Sequence, residues 1–429
     1  MATPSQPGLV RALGRWDLTA LVVNGIIGSG IFGLPAVILG LVGGASPLAF
    51  LLAGAGMAVI VVCFAEVSAR FTQAGGPYLY AREAYGSFVG QQIGWIAWLV
   101  RLTSAGANSN LFVLYLGELW EPARTPVGRL LLLTLLFGLL AAINYRGVRQ
   151  GAAVSDAFAL AKLLPLAVFV VAGLFFLRGD YFQRASGGGW AEWSQALLLL
   201  VFAYGGFEAA LFPAGEARNP KRDVPLALLA GLAVVAAFYF LVQMVVLGTL
   251  PPGAVTERPL ASAAREFLGS PGAWLLAVGA LVSTYGWLSG NMLSAPRLTF
   301  ALGERGDFPG FFAAIHPHFR TPHVSILLFA ALSWALAVAG TFQWNATLSA
   351  VARLLTYATT CGALLVFRRR GSQAGFRAPA GEMLALVGIG FCLVLLFQMG
   401  WTELAMLAVT MALAGMTWLW SRRRAQRPA

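Results

Sequence analysis

The chain has 429 residues, of which 59% are hydrophobic and 11% charged, and its formal net charge is +12. This composition excludes an ordinary soluble domain and is typical of an integral membrane protein. A net positive charge can also indicate nucleic acid binding, but the positions of the basic residues argue against it here.

Twelve apolar runs approach or exceed the roughly 20 residues that a helix needs to cross a bilayer. Numbered 1 to 12, they lie at about 18–43, 47–69, 90–117, 130–144, 153–177, 193–214, 225–249, 272–296, 323–341, 347–367, 383–400 and 403–420. Run 1 is too long for a signal-peptide core and lacks a small-residue cleavage site, so we expect it to be retained. The runs predict an all-α integral membrane protein with twelve transmembrane helices and a single domain over residues 1–429.

Most basic residues lie in the connections on the side of the membrane that also holds both termini, including the arginine runs 368–370 and 422–424. The positive-inside rule then places both termini in the cytoplasm and the protein in the cell (inner) membrane. The three cysteines lie in apolar runs and the three histidines in one polar loop. We therefore expect no disulfide framework, no metal site, no cofactor and no nucleic acid partner.

Run 1 is interrupted by Gly28, Ser29 and Gly30, which are poor helix-forming residues. An opened backbone survives in hydrocarbon only where it faces a cavity or a ligand, although glycines also allow close helix packing. The N–H groups of Ser29, Gly30 and Ile31 would then be free to bind a carboxylate, helped by the dipole of the following half-helix. Carbonyl groups near Ile26 would accept hydrogen bonds from an ammonium group.

Run 5 contains Lys162, one of only two lysines in the chain, within an otherwise uncharged stretch. A lysine at a helix centre costs roughly 2.5–3.5 kcal/mol on insertion scales. One interpretation is a lysine whose ammonium replaces a bound cation and whose charge can be lost by deprotonation. The alternative is that its side chain extends to the membrane surface.

Run 6 is interrupted at Tyr204–Glu208, five runs after the first interruption. Carbonyls of Phe202, Ala203 and Tyr204 are candidates to accept from the ammonium group of a substrate. The rings of Phe202, Tyr204 and Phe207 are candidates to contact the substrate side chain, and ordinary helix packing is the alternative for each.

Glu208 lies just beyond the second interruption and is an intramembrane acid, which by default indicates function. It could hold a proton, bind a cationic substrate, or pair with a buried arginine. Arg101 in run 3 and Arg353 in run 10 are the candidate partners.

Run 8 carries Ser283, Trp287 and Asn291 at a spacing of four residues, so these side chains can share one helix face. They are candidates either to line a cavity or to hold helices together by hydrogen bonds.

Matching interruptions in two halves of a chain are the best sequence pointer to a binding site in an inverted-repeat transporter. We therefore predict one repeat over about 17–177 and a second, of opposite orientation, over about 192–367. Runs 11 and 12, at about 383–420, would be appended to these repeats.

Five segments of the chain are, in chain order, 28–32, 66–80, 144–148 followed by Lys162, 202–208 followed by 215–225, and 294–309. They resemble sequence motifs of the amino acid–polyamine–organocation superfamily of transporters, and the match runs over most of the chain. The resemblance implies the leucine-transporter fold, with a 5+5 inverted repeat and discontinuous helices 1 and 6, and amino acid transport by alternating access.

The resemblance also implies roles for individual residues. The substrate carboxylate would lie on Ser29 and Gly30, and its amine on carbonyls of Ile26, Phe202 and their neighbours. Lys162 matches a lysine that stands where sodium-driven relatives hold an ion. Glu208 matches a glutamate that acts in proton sensing in arginine–agmatine antiporters.

This chain differs from those antiporters at two aromatic positions, where Phe202 and Asn291 stand in place of tryptophans. We therefore do not expect arginine–agmatine exchange. We expect the substrate to be a neutral or otherwise different amino acid. We predict a sodium-independent permease that is a proton-coupled symporter or an exchanging antiporter, as a monomer or homodimer. The alternatives are a polyamine transporter or an amino acid exporter of the same fold, and, from other classes, a channel or a membrane enzyme.

Overall fold

A computed structural model of the chain describes residues 14–71, 76–147, 152–183, 187–211, 217–371 and 374–425. Within these ranges the secondary structure is helical. The α-helices are α1 (Arg15–Ile26), α2 (Ser29–Gly33), α3 (Pro35–Val42), α4 (Ser46–Ser68), α5 (Gly76–Tyr85), α6 (Ser87–Leu119), α7 (Pro126–Arg146), α8 (Ala152–Gly173), α9 (Trp190–Tyr204), α10 (Pro220–Thr249), α11 (Pro259–Glu304), α12 (His323–Ala339), α13 (Phe342–Arg369), α14 (Gly381–Leu396) and α15 (Trp401–Ala425).

Within the described residues each of the predicted runs overlaps with helix, and the chain is a multi-pass membrane protein. Among the described residues, eight helical segments are long and apolar enough to cross a membrane, and three more are apolar but shorter. The 33-residue α6 is long enough but not apolar enough, because its sequence contains polar residues that include Ser104, Asn108 and Asn110. These three side chains are buried in the structure. The number of membrane crossings stays a prediction.

The two predicted interruptions are both present. After α1 ends at Ile26, the backbone at Gly28 is non-helical, and α2 begins at Ser29. In run 6, α9 ends at Tyr204, and a 3₁₀ turn begins at Phe207. Residues 72–75, Val148, Gly215 and Glu216 of the family-like segments, and both chain termini, lie outside the described residues.

Glycine is required at the interruptions because the two breaks touch each other. A Cβ atom on Gly206 would lie 2.1 Å from the carbonyl oxygen of Gly25, and one on Gly25 would lie 2.5 Å from that of Gly206. Gly206 also has a φ of 113°, which residues with a side chain rarely adopt. Gly30 approaches α9 in the same way, since its Cβ would lie 2.7 Å from Cα of Ala203.

The helices form a layered bundle around these breaks. The segments containing α9 and α13 are the most deeply buried, whereas α7 and α15 face mainly outward. One large apolar cluster joins α1–α4 to α9, α10, α13 and α14, and a second joins parts of α6 and α7 to α11 and α12.

A short helix, α5, lies in the connection near residues 70–90 and is fixed to the end of α11 by polar contacts. The hydroxyl of Tyr78 and the guanidinium of Arg82 both donate to the carboxylate of Asp307. Burial and this hydrogen bond raise the pKa of the Tyr78 hydroxyl, so it remains a donor at neutral pH. Arg370, just beyond α13, donates to the carbonyls of Glu83 and Ala84.

Glu66 at the end of α4 is fully buried and ties α4 to α13. Its carboxylate accepts two bonds from the guanidinium of Arg368, at 2.9 and 2.6 Å, and one from Arg70 at 3.0 Å. The backbone N–H of Ala378 donates to it at 2.8 Å. Every oxygen of this buried carboxylate is therefore satisfied, which a buried charge requires.

We expect Glu66→Ala to destabilise the protein by about 3–5 kcal/mol, because it leaves the buried guanidinium of Arg368 without its anion. Thermal unfolding of purified protein in detergent, followed by tryptophan fluorescence, measures the effect. Glu304→Ala is the control, since it removes an exposed acid at the end of α11. Equal unfolding midpoints for the two variants would show that the Glu66 cluster is not needed for stability.

Candidate functional site

The first residues of α2 form a buried group of N–H donors. Ser29, Gly30 and Ile31 occupy the first turn of this helix, whose N–H groups have no acceptor within the helix. Ser29 is 1% exposed, and its Oγ has no hydrogen-bond partner among the described residues. Buried polar atoms are rarely left unpaired, so this corner is suited to a polar ligand.

Lys162 closes the other side of the same break. Its Nζ donates to the carbonyl of Asn24 at 2.6 Å and to that of Ile27 at 2.7 Å. These carbonyls belong to the last turn of α1 and the residue after it, where no helical donor follows. The side chain is 4% exposed, so the alternative in which it extends to the surface is wrong.

Tyr239 of α10 joins the two breaks. Its hydroxyl lies 3.1 Å from the carbonyl oxygen of Ile26 and 3.3 Å from that of Ala203. These two carbonyls were predicted to accept from a substrate ammonium, and in the structure they share the single hydroxyl proton of Tyr239. Run 7 gave no sign of this, since a tyrosine in an apolar run usually packs by its ring.

Glu208 pairs with Arg353 of α13. The guanidinium lies 2.9 and 3.1 Å from the two carboxylate oxygens, and the hydroxyl of Tyr357 donates to Oε1 at 2.6 Å. The N–H of Gly206 donates to Oε2 at 2.8 Å, so the acid also caps the second break. Of the two arginines considered from the sequence, Arg353 is the partner in the structure.

Arg101 also lies near enough to Glu208 for electrostatic attraction, and hydrogen bonds from its guanidinium reach across to α11. Its guanidinium lies 3.3 Å from Oδ1 of Asn291 and 3.4 Å from Oγ of Ser294. The amide of Asn291 in turn donates to the backbone carbonyl of Arg101 at 3.0 Å. The two helices are therefore fixed to each other at the level of these residues.

Three adjoining cavities lie between these elements, and Gly25 and Trp287 line all three. The large cavity, of about 240 Å³, is lined by Lys162, Arg101 and Asn291. The middle cavity, of about 90 Å³, is lined by residues that include Glu208, Arg101 and Arg353. The small cavity, of about 20 Å³, is lined by residues that include Ile26, Gly28, Ser29, Gly30 and Phe202.

The remaining predicted site residues lie outside these three cavities. The hydroxyl of Tyr204 donates to the carbonyl of Phe50 at 2.9 Å, on the far side of α9. The ring of Phe207 packs edge-on against Phe64, within the core. Ala203 packs against Gly30, and Ile31 is fully buried. Helix packing thus accounts for the two aromatic rings, and a direct role for any of these residues stays a prediction.

The structure decides one alternative left open by the sequence and adds two residues to the site. Trp287, a candidate either to line a cavity or to hold helices together, lines all three cavities. The two added residues lie on α6. Ser104 and Asn108 of α6 line the small cavity, and Oδ1 of Asn108 has no partner among the described residues. Their spacing of four residues was the available signal, because it places both on one face of α6.

Comparison with known proteins identifies the family to which this chain belongs. The model of the amino acid permease family matches residues 13–420. The chain belongs to the amino acid permease family.

Its relatives are transporters by name. It is 29% identical to the serine/threonine exchanger SteT of Bacillus subtilis (strain 168) over 402 residues, which cover 89% of each protein. It is 27% identical to the methylthioribose transporter of the same organism over 440 residues, covering 97% of this chain and 92% of the relative. It is 24% identical to the branched-chain amino acid permease BcaP of that organism over 423 residues, covering 94% and 91%.

We expect Tyr239→Phe to weaken ligand binding at the cavities, because it removes the donor that holds Ile26 and Ala203 at the two breaks together. The loss of one hydroxyl should also cost about 1–3 kcal/mol of stability, since it leaves buried carbonyls unpaired. Tyr204→Phe is the matched control, because its hydroxyl bonds a carbonyl away from the cavities. Equal ligand affinities for the two variants would contradict a role for Tyr239 in shaping the site.

Proposed function

We propose that the protein is a secondary active transporter of amino acids that works by alternating access without a sodium ion. The observation that carries this proposal is the pair of contacting breaks, with bare N–H donors at Ser29–Ile31 and the Lys162 ammonium at the opposite side. A zwitterion needs donors for its carboxylate and acceptors for its amine, and a break in a helix supplies both kinds of group.

We assign the substrate carboxylate to Ser29, Gly30 and Ile31, and the amine to the backbone around Ile26 and Phe202. Phe202 borders the small cavity beside Ser29, which supports contact with the substrate. At about 20 Å³ this cavity holds little more than one water molecule. Binding of an amino acid therefore requires it to widen, and a movement of Trp287, which lines both this cavity and the large one, would widen it.

The proposed architecture is the leucine-transporter fold, with twelve spans, repeats at about 17–177 and 192–367, and two further helices at about 383–420. Support comes from the equivalent places of the two breaks in the proposed repeats, after α1 and after α9. Both termini would lie in the cytoplasm of a cell (inner) membrane, because the basic residues are concentrated on that side.

The charges around the cavities argue against a polyamine as substrate. Arg101, Lys162 and Arg353 line them, and Glu208, the acid among the described lining residues, is already paired with Arg353. A polycation would enter a region of positive potential without a carboxylate to offer to the N–H donors of α2.

The substrate proposal is tested with a thermal-shift screen of the purified protein against the twenty amino acids and common polyamines. A ligand that binds the native state raises the melting temperature. We expect at least one amino acid and no polyamine to do so. Ser29→Trp should abolish that shift by filling the small cavity, whereas Ser421→Trp, near the end of α15, should retain it. If the ligand still raises the melting temperature of Ser29→Trp, the ligand does not bind at the small cavity.

The coupling proposal concerns Lys162. We expect Lys162→Met to remove the response of uptake in proteoliposomes to an imposed pH gradient, because the side chain can no longer carry a proton. Lys221→Met is the matched control, since Lys221 is the other lysine of the chain and is exposed. If both variants respond to the gradient as the wild type does, Lys162 has no part in coupling.

A further inference from the structure

The large cavity has a polar wall that the binding of an amino acid backbone does not use. Arg101, Ser283, Asn291 and Ser294 all border it, on the facing sides of α6 and α11. Ser283 is 1% exposed, and its Oγ has no hydrogen-bond partner among the described residues. A buried hydroxyl without a partner beside a cavity indicates a ligand atom in that place.

Two of the contacts that the guanidinium of Arg101 makes are long. Its distances of 3.3 and 3.4 Å to Asn291 and Ser294 exceed the usual 2.7–3.2 Å or so of an N–H···O bond. A carboxylate would make shorter and stronger bonds to the same group, in a geometry that matches the planar guanidinium. A ligand carboxylate can therefore compete with Asn291 and Ser294 for the guanidinium, while the bond from the Asn291 amide to the Arg101 carbonyl remains.

The charge around the cavity is unbalanced. Its described lining includes two cationic side chains, Arg101 and Lys162, and no acid. In the adjoining middle cavity, Glu208 is paired with Arg353 and also attracts Arg101, so the three cationic side chains of the two cavities outnumber this one acid among the described lining residues. A net positive potential in a low-dielectric cavity favours an anion.

We propose that this wall is the side-chain subsite for an acidic amino acid, with Arg101 as the residue that determines specificity. This inference rests on the proposed function, because the backbone of the same substrate would lie at Ser29–Ile31. The side-chain carboxylate would bind Arg101 and accept from Ser283. The cavity volume of about 240 Å³ is below the roughly 300–1,000 Å³ of drug-sized sites and suits a ligand of this size.

The test is calorimetric titration of the purified full-length chain with aspartate, glutamate, alanine and leucine. We expect an acidic amino acid to bind the wild type most tightly. Arg101→Met should weaken its binding about tenfold or more, the loss typical of a hydrogen bond between charged groups. Alanine has no side chain to reach the wall, so its affinity should change less than about threefold. Arg297→Met, an exposed arginine of α11, should change neither.

The results separate this inference from the proposed function. If the wild type binds alanine or leucine but no acidic amino acid, or if Arg101→Met weakens all ligands equally, the subsite is refuted and the transporter stands. If the wild type binds no amino acid, both are refuted. Should Arg101→Met fail to fold, Ser283→Ala decides the matter, since it should weaken binding of the acidic ligand severalfold and leave that of alanine unchanged.

Discussion

The contact between the backbones of Gly25 and Gly206 is the constraint on which the rest of this structure depends. Two helices that lose their hydrogen bonds inside an apolar bundle must have the freed groups satisfied by the protein. Side chains from three different elements do this: Lys162 of α8 at Asn24 and Ile27, Tyr239 of α10 at Ile26 and Ala203, and Glu208 at the N–H of Gly206. These elements must therefore meet at the two breaks, and the candidate site lies at that meeting point.

The backbone groups freed at the first break do not all have hydrogen-bond partners in the protein, and this affects which ligand groups can bind there. The carbonyls around the first break have donors from the protein, whereas the N–H groups at the start of α2 face the small cavity and a Ser29 hydroxyl without a partner. The end that is left open presents donors, and it lies at the positive pole of a helix dipole. Together with Arg101 and Lys162, these donors make positive groups more numerous than acids among the described residues that line the cavities.

The sequence was most informative where a residue is energetically unfavourable in the segment that contains it. Glycines in an apolar run predicted both breaks, and a lone lysine in an uncharged run predicted Lys162 in the site, because each is costly unless the structure uses it. The choice of Arg353 over Arg101 as the partner of Glu208 depends on how α13 packs against the second break, which one sequence does not reveal. Tyr239 resembles an ordinary packing residue in sequence, so its hydrogen bonds to the two breaks could not be predicted.

The hydrogen bonds also distinguish the two candidates for proton coupling. Glu208 accepts from Arg353, Tyr357 and Gly206, so a proton on either of its oxygens would displace a donor and break up the ion pair. Lys162 donates to two carbonyls, and a neutral amine still has two N–H groups for them. Loss of its proton therefore changes the charge beside the first break and keeps both hydrogen bonds. This supports the assignment of coupling to Lys162, with Glu208 holding the second break in place.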